Sequence, residues 1–146
     1  MAITSAICNS FKQEILEAEH NFTASTGNTF NLALYTSSAT LGASTTAYSS
    51  SNEITNTSGT AYSAKGKALT SVTPTLDSST AVCDFADVSW TSASFTANGC
   101  LIFNDSHSTD AAVCAVAFGG HKTVSSGTFT IQFPAAAATT AIIRIA

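Results

Sequence analysis

A chain of 146 residues with a net charge of −4 and 10% charged side chains is long enough for one hydrophobic core, and far less charged than the roughly 25% of an ordinary soluble domain. Its Lys and Arg residues (Lys12, Lys65, Lys67, Lys122, Arg144) stand singly, so no basic stripe offers itself to nucleic-acid phosphates. Apolar runs are broken by Thr, Gly or Asp well short of the ~18 residues a membrane helix needs, which excludes a helical membrane span.

In chain order, Ile7, Phe11, Ile15, Ala18 and Phe22 recur at the three-to-four spacing of one helical face. This predicts an amphipathic helix over residues 4–20, capped by Thr4 or Ser5 and ended at Asn21. From Thr29 the period changes to two: Phe30, Leu32 and Leu34 face one way, Asn31, Ala33 and Tyr35 the other, as in a half-buried strand. Residues 37–60 are a Ser, Thr, Ala and Gly run anchored only by Leu41, Tyr48 and Ile54, a long surface excursion of the kind that carries function. Strands are expected at 61–72, 80–90, 94–104, 111–118, 127–133 and 140–146. Their turns fall at Pro74-Thr75-Leu76-Asp77, Asn104-Asp105-Ser106, Gly119-Gly120 and Ser125-Ser126-Gly127. The change of phase from Cys83 and Phe85 to Val88 and Trp90 predicts a bulge at Ala86-Asp87. The last strand, with Ala141, Ile143 and Ile145 on one side, is expected to belong to the fold.

The whole reads as a single domain, 1–146: a helix and turn over 1–24, then a mainly β, antiparallel β-sandwich over 25–146, with jelly-roll and Ig-like connectivity both open. The amino terminus lacks the basic and continuous apolar regions of a secretory signal. Folding in a reducing cytoplasm is therefore the expectation, and the three Asn-x-Ser/Thr matches at Asn21, Asn56 and Asn104 are chance products of a Ser/Thr-rich chain.

Cys8, Cys83, Cys100 and Cys114 lack the paired spacing of zinc sites. Pairing Phe103 with Ala111 and Leu101 with Val113 would set Cys100 opposite Cys114 as a candidate disulfide, whereas a register shifted by two would separate them and leave buried thiols. Cys8 is a further candidate for a bridge between subunits, should copies of the chain assemble and meet oxidant. Asp105, His107 and Asp110 cluster in one loop, as solvated turn formers more than as metal ligands. No nucleophile elbow, metalloprotease helix or phosphate loop is present, and His20, His107 and His121 have no local signature that selects a nucleophile. The residues therefore point to no enzyme, no metal and no cofactor.

Several stretches resemble a family of small structural proteins of tailed bacteriophages: Phe30-Asn31-Leu32-Ala33-Leu34-Tyr35-Thr36-Ser37, Leu41-Gly42-Ala43-Ser44-Thr45-Thr46-Ala47-Tyr48, Asn52-Glu53-Ile54, Asp84-Phe85-Ala86-Asp87-Val88-Ser89-Trp90, Phe118-Gly119-Gly120-His121-Lys122-Thr123, Phe133-Pro134 and Ala141-Ile142-Ile143-Arg144-Ile145-Ala146. With the helix included, the resemblance runs over nearly the whole chain. It departs from the pattern at Cys83, Cys100, Cys114 and Lys65-Gly66-Lys67. It implies a virion component assembled in the host cytoplasm, most readily a capsid decoration (cement) protein. Its implied partner is the major capsid protein and its implied state a homo-oligomer, a trimer by preference, with no nucleic-acid or membrane partner. The alternatives are a tail, neck or fibre module that recognises a host surface, and an unrelated adhesion or matrix domain. Candidate partner contacts are Phe11 and Ile15 on the helix and Leu41, Tyr48, Ile54 and Tyr62 on or beside the excursion, each equally suited to the core.

Overall fold

The computed structural model describes residues 2–146. Its elements are β1 (Ala6–Ile7), α1 (Asn9–Leu16), β2 (Phe30–Tyr35), β3 (Lys67–Ala68), β4 (Ser71–Asp77), β5 (Thr80–Phe85), β6 (Val88–Asn104), β7 (Ala111–Ile131) and β8 (Ile143–Ile145). They form two antiparallel sheets, a larger one in the order β1-β7-β6-β2-β3 and a smaller one in the order β4-β5-β8. The β-sandwich with one amino-terminal helix is thus the observed fold, with layers of unequal size.

The helix is shorter than its apolar periodicity predicts, because both ends are claimed by other bonds. Ala6 and Ile7 pair with Ala115 and Cys114 of β7. The Thr4 N–H donates to Leu41 O at 2.8 Å, and Ser5 Oγ accepts the Ala117 N–H, so neither hydroxyl residue caps α1. Its first turn follows Cys8, which is extended and makes no side-chain cap. At the other end Ala18 turns into the left-handed region at φ 61°, and the Glu17, Ala18 and Glu19 N–H groups close back on Gln13, Ile15 and Glu14, which ends the helix as a left-handed C-terminal turn does.

β2 lies between β6 and β3. Phe30, Leu32, Ala33 and Leu34 are wholly buried and Tyr35 nearly so, so the strand is covered on both faces and not half-buried as its alternation predicts. No named strand lies between Tyr35 and Lys67. The excursion therefore runs past residue 60 through the first half of the expected 61–72 strand. It is stitched down by Ile54 N–H to Leu34 O, Tyr48 N–H to Asp110 O and Ala112 N–H to Thr46 O.

Three expected turns are features inside strands. Pro74 sits within β4 at a register shift, and the reversal comes at Ser78-Ser79 between the paired Asp77 and Thr80. Gly119 and Gly120 lie inside β7, where Phe118–His121 stand opposite Asn98 alone. Ser125-Ser126 forms a smaller bulge opposite Ser94. Both glycines have positive φ, 73° and 139°, the conformations that such bulges use. Ala86-Asp87 is not a bulge: β5 ends at Phe85 in the small sheet and β6 begins at Val88 in the large one, so the phase change marks the crossing between layers.

The core lies between the sheets and under α1. One aromatic group links Phe11, Phe22, Phe30, Phe85 and Phe133, with Phe22 and Phe30 stacked at 4.2 Å. A second links Tyr62, Trp90, Phe95 and Phe129.

Candidate functional site

The residues nominated for partner contact are mostly interior. Phe11, Leu41, Ile54 and Tyr62 are buried in the chain's own core, and only Ile15 and Tyr48 are partly exposed. Apolar anchors in a polar excursion read alike whether they face inward or outward. Here they are the points at which the excursion is fixed to the sheets.

Beneath them lies a polar network that the sequence did not announce. Glu53, 7% exposed, accepts hydrogen bonds from Tyr48 Oη at 2.5 Å, Tyr62 Oη at 2.7 Å and the Lys65 N–H at 2.8 Å. Tyr62 Oη in turn accepts the Leu34 N–H at 2.9 Å, which carries the network into β2. Burial, then the bond to Glu53, pushes the Tyr48 phenol up to about 12; Tyr62 is driven further up by the same causes, so both remain donors to the carboxylate. Lys65 Nζ lies 2.9 Å from Asp105 and 2.8 Å from Asp110, near the rings of Tyr48 and Phe103. These carboxylates hold the Lys65 ammonium well above its usual range. The Asp105, His107, Asp110 loop is thus split: its two carboxylates clasp an ammonium, while His107 pairs with Glu19. Among the described residues, no group of three or more His, Cys, Asp or Glu side chains is arranged to hold a metal.

A second network surrounds His20. Asn104, fully buried, commits Oδ1 to the Ser106 N–H and turns Nδ2 toward His20 Nδ1 at 3.1 Å. The imidazole therefore accepts at Nδ1 and donates from Nε2 to Glu14 Oε2 at 2.7 Å. The ring packs 4.9 Å from Phe11 and stacks on Phe22 and Phe30. Neither ring nitrogen bonds a hydroxyl or a thiol, so the pair fastens α1 to the β6–β7 turn. Asn104 is also one of the three glycosylation matches, and its burial removes it from any such role.

All four cysteines are free thiols. The candidate pairing of Cys100 with Cys114 fails on register: Asn104 pairs with Ala111, and a bulge at Val113 adds a second offset, so Cys100 faces Val116 and Cys114 faces Ile102. Burial pushes Cys100 up to about 12 and Cys83 up to about 11. Cys8 rises to about 11 through burial and then Glu14. Cys114 is raised further, by burial and then by Cys100 and Cys8. Thiols held protonated in this way are poor nucleophiles and poor metal ligands.

What remains open is surface. From Phe118 to Ile131, β7 has β6 on one side and, among the described residues, no strand on the other. A shallow groove of about 360 Å3 runs beside it, lined by Phe118, Phe129 and Ile131 with Lys122, Thr130 and Gln132. A second groove, about 330 Å3, lies between α1 and β8. No helix is long and apolar enough to cross a membrane among the described residues.

Fold and surface together define an antiparallel two-sheet β protein in which the networks around Glu53 and His20 join its own elements, while its free features are strand edges and shallow grooves, apolar beside β7 and between α1 and β8. Comparison with models of protein families, with curated proteins and with solved structures finds no match to this chain.

Proposed function

We propose that the chain is a non-enzymatic structural protein of a phage particle, a decoration (cement) protein that binds the capsid surface as a homo-oligomer, with the major capsid protein as partner. The observation that carries this reading is the long open edge of β7, almost without charge, which offers backbone donors and acceptors to another extended chain. The chain as a whole, with 10% charged residues, offers little repulsion between neighbouring copies. The resemblance to phage structural proteins along nearly the whole sequence points the same way. Nothing in the polar networks competes with it: Glu14, Glu19, Glu53, Asp105 and Asp110 are each bonded to a partner that links two elements of the fold.

The test is to mix purified protein with heads that lack it. Saturable binding at a stoichiometry comparable with the capsid subunit, together with a raised melting temperature of the heads, is expected. Binding to host cells or surface glycans in place of heads would move the protein to the tail or fibres. Binding to neither would end the virion reading.

A further inference from the structure

We propose that the groove between α1 and β8 receives an extended segment of another protein, rich in alternating apolar and acidic side chains, laid against the free edge of β8. Ile7, Phe11, Ile15 and Leu16 form one wall, Ile143 and Ile145 the other. Leu16 is 88% exposed and Ile145 56% exposed, two of the four large apolar side chains left most open to solvent. The smaller sheet ends at β8, whose residues pair with β5 and make no other backbone hydrogen bond among the described residues. An apolar groove beside an unpaired strand edge selects an extended occupant, because only a strand satisfies the edge while filling the groove with alternate side chains.

Charge selects the chemistry. Lys12 and Arg144 are the only charged residues lining the groove. Lys12 Nζ donates to the neutral Asn9 Oδ1 at 3.2 Å and Arg144 Nη1 to Ala138 O at 3.0 Å. Neither forms an ion pair among the described residues, in contrast to Lys65, which has two carboxylates. Two uncompensated cations flanking an apolar trough are complementary to carboxylates that alternate with apolar side chains. A second copy fits less well. Two-fold pairing of β8 with itself would bring the Arg144 residues of both copies into one interface. The opposite sheet edge, β4, is interrupted by Pro74 and a register shift, which blunts it for strand addition. That the segment belongs to the capsid protein rests on the function proposed above; the groove's preference for an acidic strand does not.

The experiment titrates the 15N-labelled full-length protein with a capped hexapeptide of alternating isoleucine and aspartate, and in parallel with one of alternating isoleucine and lysine. Saturable shifts at the amides of Leu16 and Ile143–Ile145 are expected, with the acidic peptide bound about 5-fold tighter or more. Leu16→Ser should weaken binding by about 5-fold or more and Arg144→Gln should bring the two peptides closer to equal, while Leu76→Ser on the opposite edge changes neither. Both Leu16 and Leu76 are exposed, so their variants keep the fold, which the amide spectrum verifies. No saturable shift at the groove, or equal affinity for the two peptides, would overturn the proposal. The doubly substituted Leu16→Ser, Arg144→Gln protein is then tested on undecorated heads. Undiminished head binding overturns only the capsid origin of the segment, and failure of the unsubstituted protein to bind heads overturns the proposed function while the peptide result decides the groove.

Discussion

The two halves of the β6–β7 pair are made of the same two strands and hold themselves together differently. Near the connecting turn, Gly99–Asn104 of β6 and Ala111–Ala115 of β7 are buried without interruption. Farther out, Val88, Trp90, Ala93, Phe95 and Ala97 are buried while their neighbours are partly or fully exposed, and β7 from Gly119 onward is open on alternate residues or entirely. The near half has β1 and β2 beside it and the excursion across it, with Tyr48 stacked 4.7 Å from Phe103. The far half has no further strand beside it, only the end of the excursion, where Thr60 O accepts the Ser94 N–H and Tyr62 packs on Trp90 and Phe95, and its β7 edge is bulged and free. Strand burial is thus set by how many neighbours a segment has, beyond its own residue types.

Glycine substitution contrasts the backbone packed on β2, the near half's neighbour, with the free edge of the far half. A Cβ on Gly66, at φ +66°, would sit 1.8 Å from Leu32 O, whereas one on Gly119, at φ +73°, would meet nothing within 4 Å. Gly66→Ala is expected to cost about 4 kcal/mol or more, since β2 backbone itself must move, and Gly119→Ala about 1 kcal/mol from its dihedral alone. Urea unfolding of both variants checks this. Next, Phe103→Ala in the near half should cost about 3–5 kcal/mol and Phe129→Ala, half-buried in the far half, about 1–2 kcal/mol. Equal losses would break the comparison.

The anchoring of the excursion is tested at Glu53. Glu53→Ala leaves the Tyr62 hydroxyl proton unpaired and releases the Lys65 N–H, with an expected loss of about 3 kcal/mol. Faster amide exchange should appear at Tyr48 and Ile54 but not in the far half. Alkaline pH gives a graded effect. The thiols of Cys8, Cys83 and Cys100 have folded values raised from 9.0 to between about 11 and about 12, and the Tyr48 phenol is raised from 10.0 to about 12. Unfolded chains ionise first, so this stability is fully present below pH 9 and falls as pH rises from 9 toward 12. For wholly buried Cys100 the slope is about 1.4 kcal/mol per pH unit. A Cys100→Ala variant should show a shallower decline, and thiol reagents at pH 8 should label the folded protein slowly and the unfolded one fully.

The same contrast explains what the sequence disclosed. Alternation at Val88 and Trp90 was legible because one face there meets water. In β2 the pattern was present but its meaning was not, since cover on the second face comes from residues far away in sequence. Bulges were illegible for another reason: Val113 adds one residue without changing composition, and so moved Cys114 one place further from Cys100 than the Asn104–Ala111 pairing already had. The double glycine at Gly119-Gly120 read as a turn because turns and bulges use the same left-handed backbone. Among the candidate contacts, Leu41, Tyr48 and Ile54 were recognised as anchors, but only the tertiary fold fixes the direction in which an anchor points. Glu53 lies in a polar stretch and was given no role of its own. Two tyrosines and a lysine within a dozen residues of it were the only local signal that a carboxylate there could be buried and satisfied.

The measurement that bears most directly on the proposed function is quantitative mass spectrometry of purified virions of the phage proposed to carry it, expressed as copies of this protein per copy of the major capsid protein. Decoration requires a ratio of the same order as the capsid protein itself. A ratio corresponding to a few copies per particle would contradict it and place the protein at the neck, tail or fibres, and its absence from virions would contradict the particle assignment altogether.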